Sequence, residues 1–450
     1  MTNTAVEQRT AYKWRWMALG VLLVAEAMNL LDATIVQVAA PVIHSELGGQ
    51  ESDIQWFSAA YTLPFAVLLI TGGRLGDIAG RQRVFRIGIV GFLLTSACCA
   101  LAPNPSVLIT ARALQGAAAA LVIPQTIGLI RAMFDASELP KALGSIGPVM
   151  GLAGLCGPLL GGVLTHADLF GSSWRSVFAV NLPLGIAVLI ATPLLREDRS
   201  PYRPGLDLLG SALLVAGSVL VLDPLIQTEN WLYLPAGFVV LAICALQQRS
   251  RRRGGRAILV EPSLFGNRGF APALVTSTLF FAMTTGLMLV VVLQLQVGLH
   301  LGVLRSSLTL LPWSAASGIA SWVAGAVLIP RYGTRVMFGG VAVVFVGLLA
   351  TVAVYNNAWI GWQLFAALGV CGLGIGLFTT PFFTAALHRV QPHETGSAAG
   401  LLNAVQQLGG TLGIALLGTI FLNARPAHAA QPPSTQPSLS PPQPPPRPPS

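Results

Sequence analysis

The 450 residues are 54% hydrophobic and 10% charged, with a mean hydropathy of +0.69, whereas soluble domains carry roughly 25% charged residues. No soluble fold of this length hides so much apolar surface, so the solvent is lipid and the apolar runs are helices that satisfy their own backbone. The formal net charge of +9 does not mark a nucleic-acid partner, because the bases sit in loops between apolar runs.

About thirteen spans are predicted, which makes the chain an all-α polytopic membrane protein. They lie at roughly 15–37, 54–73, 84–102, 105–128, 141–165, 174–195, 206–226, 231–248, 270–297, 306–329, 336–355, 359–384 and 397–422. The first run is longer than a signal-peptide core and ends without a small-residue cleavage site, so it reads as a retained span. It carries Glu26, Asn29 and Asp32. Carboxylates inside a membrane are costly and mark a pathway or a partner. Glu26 and Asp32 stand about 120° apart around a helix, so they do not face one point but are able to border one cavity. Desolvation favours the neutral carboxyl, so such groups are candidates for binding and releasing a proton. A structural hydrogen bond to a neighbouring helix is the alternative for both.

Between the second and third spans lies Gly73-Arg74-Leu75-Gly76-Asp77-Ile78-Ala79-Gly80-Arg81-Gln82-Arg83, followed by Arg86. A short, basic, glycine-punctuated turn between two bilayer-length runs reads as a cytoplasmic hairpin loop. Span four carries Arg112, Gln115 and Ala119 on one face. An arginine there must point into the protein toward an acceptor, and Asp32 is the nearest acid by topology. Span five is striped with Gly144, Gly147, Gly151, Gly154, Pro158 and Gly161, with Gly157 and Gly162 beside them. Such a face admits close helix approach, either as static packing or as a sliding or bending seam.

Bases recur in alternate loops: Arg9, Lys13 and Arg15; Arg131 and Lys141; Arg196, Arg199 and Arg203; Arg249 to Arg256 and Arg268; Arg331 and Arg335; Arg389. The intervening loops hold acids such as Glu46, Glu51, Asp53 and Asp168, so the amino terminus is expected in the cytoplasm. The run Leu328-Ile329-Pro330-Arg331-Tyr332-Gly333-Thr334-Arg335 is the second-half counterpart of the basic turn, with Pro330 where the first has Asp77. Asp77, Arg81 and Arg83, with Gly73 and Gly80, are therefore read as a cytoplasmic latch, a plain topology anchor being the alternative. The five cysteines all fall in apolar runs, giving neither a disulfide framework nor a metal spacing. No histidine sits at ligand or catalytic spacing and no P-loop lysine motif occurs, so no enzyme, metal site or ATP-driven pump is expected. Residues 426–450 are dominated by Pro, Ser, Gln and Ala, cannot span or pack, and read as a disordered tail.

Taken together these motifs resemble the major facilitator superfamily, in its fourteen-helix drug:proton antiporter branch. The loop from Gly73 through Asp77, Gly80, Arg81 and Arg83 looks like its signature between helices two and three. Leu31-Asp32-Ala33-Thr34-Ile35-Val36 resembles its first-helix motif, and Arg112 with Gln115-Gly116 its helix-four motif. Gly157-Pro158-Leu159-Leu160-Gly161-Gly162 is similar to its antiporter motif. Trp174-Arg175-Ser176-Val177-Phe178 with Asn181, Pro183 and Gly185 is similar to the start of its helix six. The resemblance implies two helical halves, residues 1–200 and 251–424, around an inserted helix pair at 201–250, with a tail at 425–450. It implies a substrate site between the halves and alternating access.

Three departures stand out. Gln37 replaces the branch's usual asparagine, the span at 306–329 carries no acid, and the proline-rich tail stands where a fourteenth helix is expected. On this reading the chain is a monomeric, proton-coupled exporter of amphipathic or cationic compounds in the cytoplasmic membrane, with its tail outside if thirteen spans hold. It needs no cofactor beyond the proton gradient, and its partners are a small-molecule substrate, protons and membrane lipid. Asp32, Glu26 and Arg112 would couple protons, and Gly157 and Pro158 would favour outward exchange. Asn29, Gln115, Trp56 and Tyr61 are cavity candidates; Trp313 and Trp322 could line the cavity as well, and helix packing is the alternative for each of the four aromatics. A dedicated exporter of one secondary metabolite or siderophore is the second reading, and a non-transporting degenerate protein or sensor the third.

Overall fold

The computed structural model describes residues 12–424, apart from positions 136, 169–170, 200–204, 257, 260–263, 265–268, 358–360, 389 and 391–394. The expected tail at 425–450 lies outside the described residues, as do Arg9, Arg203, Arg268 and Arg389. Every regular element among the described residues is helical, the arrangement that leaves no backbone donor facing lipid.

The first half runs α1 (Arg15–Leu47), α2 (Asp53–Ala79), α3 (Arg81–Ala100) and α4 (Pro105–Met133). Two interrupted spans follow: α5 (Leu139–Gly144) with α6 (Ile146–Ala167), then α7 (Ser176–Ala179) with α8 (Asn181–Ala191). The inserted pair is α9 (Leu208–Gln227) and α10 (Tyr233–Arg253). The second half holds α11 (Phe270–Leu293), which continues through a π-helical turn at Gln294–Gly298, and α12 (Val303–Val323). It ends with α13 (Ile329–Tyr332), α14 (Val336–Asn356), α15 (Trp362–His388) and α16 (Thr395–Asn423).

Eleven stretches among the described residues are long and apolar enough to cross a membrane, and one, Val303–Asn356, contains both α12 and α14. The remaining member of the expected thirteen is α10. It falls short because its last turns read Gln247-Gln248-Arg249-Ser250-Arg251-Arg252-Arg253, too polar for a bilayer core.

Local chemistry explains where helices begin. Asn104 Oδ1 accepts the Val107 N–H at 3.0 Å ahead of Pro105, a side-chain cap followed by the residue that needs no donor at the first helical position. Asp207 caps α9 by accepting the Gly210 N–H at 2.9 Å. Gly80, at φ +104°, separates α2 from α3 in a conformation that a side chain disfavours.

Within the first half α4 packs on α2 and α3, and α6 on α1; within the second, α15 packs between α12 and α14, and α16 on α11. The halves meet at two seams, α6 against α12 and α2 against α16, and α9 covers the second by touching both of its helices. Seam packing relies on missing side chains. On the α6–α12 seam a Cβ on Gly162 would strike the Ser307 side chain. On the other side of α6, against α1 within the first half, a Cβ on Gly157 would strike the Thr34 hydroxyl and one on Gly161 would stand 3.1 Å from the Ile35 carbonyl. Hydrogen bonds cross between the halves as well. Thr62 and Thr411 hydroxyls lie 2.7 Å apart, Gln296 Nε2 donates to the Val38 carbonyl at 2.8 Å, and Gln55 lies 3.3 Å from the Thr419 hydroxyl. These contacts include the end of the bundle remote from the basic turns. Toward the basic end the same glycine stripe continues through Gly151, Gly147 and Gly144, where a Cβ would meet nothing within 4 Å. Along the α6 stripe the halves are thus in close contact at Gly162, and the space beside α6 is open at its basic-end glycines, while Ile70 of α2 still packs against Leu264 and Leu401 of the second half.

Candidate functional site

The first half encloses a charged pair in its apolar core. Asp32 of α1 and Arg112 of α4 are 0% and 1% exposed. Arg112 Nη1 donates to Asp32 Oδ2 at 2.5 Å and to Gln115 Oε1 at 2.7 Å, while its Nε donates to the Phe57 carbonyl at 3.0 Å. Asp32 Oδ1 accepts from Gln115 Nε2 at 3.0 Å and Asn181 Nδ2 at 2.7 Å. Gln115 also donates to Ser96 Oγ at 2.8 Å. Five helices therefore fix one carboxylate, and both partners have the hydrogen bonds that a buried ion pair needs to persist.

The guanidinium lies over the Tyr61 ring at 4.2 Å and near Phe178 at 5.7 Å, within cation–π range. Gly116 permits this approach, since a Cβ there would run into the Tyr61 carbonyl. The Tyr61 hydroxyl accepts from Asn29 Nδ2 at 2.6 Å, which extends the network to α1 one turn nearer the basic end.

Arg112, Gln115 and Asp32 come together in one hydrogen-bonded cluster. Glu26 does not join them: it is buried separately, beside the Thr126 hydroxyl of α4. Trp56 lies in the apolar contact of α2 with Leu222 and Ile226 of α9 and Ala415 of α16. Trp313 is in the second-half core and Trp322 is 66% exposed on the perimeter. Asn181 and Ser96 are the members that sequence reading missed. Asn181 stood in the helix-six motif without a role; Ser96 carried no signal, being one hydroxyl in an apolar run.

At the basic end Arg81 Nη2 donates to Asp77 Oδ1 at 2.6 Å, and its Nε lies 3.3 Å from Asp198 Oδ2. The Arg81 side chain lies over Gly128 of α4, where a Cβ would strike the guanidinium. The segment after α8 is sewn to the start of α3. Arg81 N–H donates to the Asp198 carbonyl at 3.0 Å, Gln82 N–H to Glu197 Oε1 at 3.1 Å, and Gln82 Nε2 to the Thr192 and Leu195 carbonyls at 2.8 and 2.9 Å. Arg83 is exposed beside this cluster. Gly73 has only ordinary contact with Pro124; the close approaches belong to Gly72 against the Ala120 carbonyl and Gly76 against Gln125. All of these partners lie in the first half. Among the described residues of this turn, Arg74 reaches beyond that half, donating to the Ile258 carbonyl and, at 3.4 Å, to that of Leu259. Leu259 N–H in turn donates to Gln248, which donates to Asp207 at 2.5 Å.

A separate cavity of about 350 Å³ lies at the far end, lined by Pro41, His44, Glu51, Gln296, His300 and Leu422 among others. It sits in the closed seam, away from the Asp32 pair. Among the described residues no cluster of histidine, cysteine and carboxylate is arranged to hold a metal.

The family model for the Major Facilitator Superfamily matches residues 22–414. The chain is 44% identical over 422 residues to the "Probable actinorhodin transporter" of Streptomyces coelicolor, covering 91% of this chain and 73% of that protein. It is 34% identical over 428 residues to "Puromycin resistance protein pur8" of Streptomyces alboniger, covering 92% and 84%. Among solved structures, a POT family transporter in complex with 5-aminolevulinic acid superposes with a TM-score of 0.65 over 90% of each chain at 14% identity, a likeness of fold. A buried ion pair between the first and fourth spans, an all-helical membrane fold in two halves, and a family match across nearly the whole chain agree: this protein is a multi-pass membrane transporter, not an enzyme, and belongs to the Major Facilitator Superfamily.

Proposed function

We propose that the chain exports amphipathic or cationic organic compounds across the cytoplasmic membrane by proton antiport, with the basic end in the cytoplasm. The buried Asp32–Arg112 pair carries this reading. A charge pair inside a bilayer is expensive, and hydrophobic replacements often stabilise a protein, so its presence favours a working role. In the arrangement described, three side-chain donors hold Asp32. A proton arriving at Asp32 removes its charge, frees Arg112 and loosens the contact between α1 and α4. Return of Arg112 expels the proton. Glu26 is the second proton candidate, acting apart from this network. The space open beside α6 at the basic end receives substrate from the cytoplasm, and the glycine seam of α6 with Pro158 is where the halves rock.

Positive-inside bias supports the orientation, and the names of the relatives, one a transporter and one a resistance protein, support export. The proton gradient is the proposed energy source, no cofactor is invoked, and the protomer works alone in lipid. The relative at 44% identity, named for a single compound, favours a narrower second reading, a dedicated exporter of one secondary metabolite.

The test is efflux of ethidium from proteoliposomes holding the full chain, with an imposed proton gradient and with a protonophore. Efflux that collapses with the gradient is expected. Efflux indifferent to the gradient overturns proton drive, and no efflux of ethidium or any related compound overturns broad export. Asp32→Asn is expected to insert normally and lose gradient-dependent exchange; retained coupling would move the role to Glu26.

A further inference from the structure

The second half has no buried ion pair among its described residues, but it has rings. Phe280 of α11 stacks on Phe378 of α15 with centroids 3.8 Å apart, and Phe378 stacks on Phe382 at 5.2 Å. Those three are buried. Phe281 meets Phe280 edge-on at 5.5 Å, Phe383 meets Phe382 edge-on at 5.6 Å, and Phe281 and Phe383 lie 6.2 Å from each other. Only these two are part-exposed, so three rings form a foundation and two form its edge.

The edge faces inward. Val275 and Leu279 are exposed and mark the lipid side of α11; Phe281 lies roughly 140° around the helix from them at 100° per residue. The α16 side of α11 is fixed by Thr278 and Ala282, against which Gly409 and Gly413 pack. Phe281 is next to Ala282, and α16 reaches α2 at this depth through the Thr411–Thr62 contact of 2.7 Å. Phe281 therefore lies at the level of Tyr61, the residue before Thr62, on the other side of the cleft. One turn nearer the basic end, on the same face as Phe281, Ser277 keeps a buried hydroxyl with no hydrogen-bond partner.

From this geometry we infer that Phe281 and Phe383 form an aromatic shelf that stacks a planar ring system of the exported compound, opposite the polar Asn29–Tyr61 side of the first half. Stacked and edge-to-face rings gain from their quadrupoles beyond area burial, so a flat polycyclic compound is favoured over an alkyl one of equal charge. The unpartnered Ser277 hydroxyl suits a ring bearing an oxygen or nitrogen substituent. The inference rests on the export reading and names the substrate class within it.

The test uses the purified full chain and calorimetric titration with two cations, ethidium, which is planar and aromatic, and tetrapentylammonium, which has no ring. Phe281→Leu and Phe383→Leu keep apolar bulk and should keep the thermal midpoint. Each is expected to weaken ethidium binding roughly 2- to 10-fold while leaving tetrapentylammonium within about twofold. Phe281→Tyr, which retains the ring, should restore ethidium binding. Equal losses for both cations, or none for ethidium, would overturn the shelf while leaving export standing. A wild-type protein that binds neither cation and moves neither in vesicles would overturn the export reading, and the shelf with it.

Discussion

In the first half the basic turn is tied at each end. Arg81 reaches Asp77 and Asp198, and the start of α3 takes Glu197 and the carbonyls after α8. The second-half turn has Pro330 in place of Asp77, and among the described residues neither Arg331 nor Arg335 enters a salt bridge. The same asymmetry recurs at mid-depth, where the first half buries Asp32 against Arg112 and the second stacks phenylalanines. A charge placed on a helix recruits partners from every neighbour, because leaving it unpaired in a low dielectric is costly; a ring asks only for shape. One half is therefore cross-linked by named hydrogen bonds and the other is held by packing.

The largest expected effect comes from breaking the charged half. Arg112→Ala strands Asp32 in the core and should lower stability by about 3–5 kcal/mol, read as a fall in thermal midpoint and in properly inserted protein. The double variant Asp32→Leu with Arg112→Met removes both charges. It is expected to recover much of that stability while abolishing exchange; a double variant as unstable as the single one would mean that the network is structural.

Next are the two turn glycines. Gly80→Ala adds a Cβ at φ +104° and 2.8 Å from Glu197 Oε1, whereas Gly333→Ala adds one at φ +64° into open space. Strain of roughly 1–3 kcal/mol applies to both, and displacement of the Glu197 carboxylate adds to the first only. Parallel melts should rank Gly80→Ala as the more damaging; equal effects would deny that the first turn is the more tightly held.

A smaller change is expected from Asp77→Asn. The Asp77 and Arg81 side chains are 26% and 23% exposed and Arg81 keeps Asp198, so after allowance for screening the cost is under about 1 kcal/mol. Its signature should be kinetic, a changed export rate with unchanged stability. Normal export by this variant would reduce the turn to a topology anchor.

The smallest effect concerns Glu138, which accepts from Arg15 at 2.6 and 3.0 Å. The Arg15 hydrogen bond holds its carboxyl below the usual value, outweighing partial burial. A depressed carboxyl contributes stability above its unfolded pKa of about 4.3 and loses it as pH falls through the folded value. The melting difference between wild type and Glu138→Gln should thus be flat from about pH 6 to 8 and shrink only below about pH 4.

Much of this molecule is decided by its sequence. Bilayer-length apolar runs make helices because lipid offers the backbone no other partner, and intramembrane Asp32 and Arg112 had to find acceptors and donors in the interior. Their spacing on α1 and α4 was readable because helical periodicity is local. The limits are equally specific. An amide such as Asn181 gains its role only when a further helix arrives at the carboxylate, and a hydroxyl such as Ser96 only when another helix arrives at the amides that hold that carboxylate. Glu26 and Asp32 share one helix, yet their neighbours on α4, Thr126 and Arg112, assign them to different surroundings. Gly72 and Gly76, not Gly73, make the close approaches because the crossing of α2 with α4 selects the face. The phenylalanine shelf was invisible for the same reason: Phe281 and Phe383 are about a hundred residues apart, and only the packing of α11 on α15 brings two ordinary apolar residues together as one surface. Sequence determined what must be buried and what must be paired; tertiary structure decided with whom, because burial is a property of a residue and pairing a property of a place.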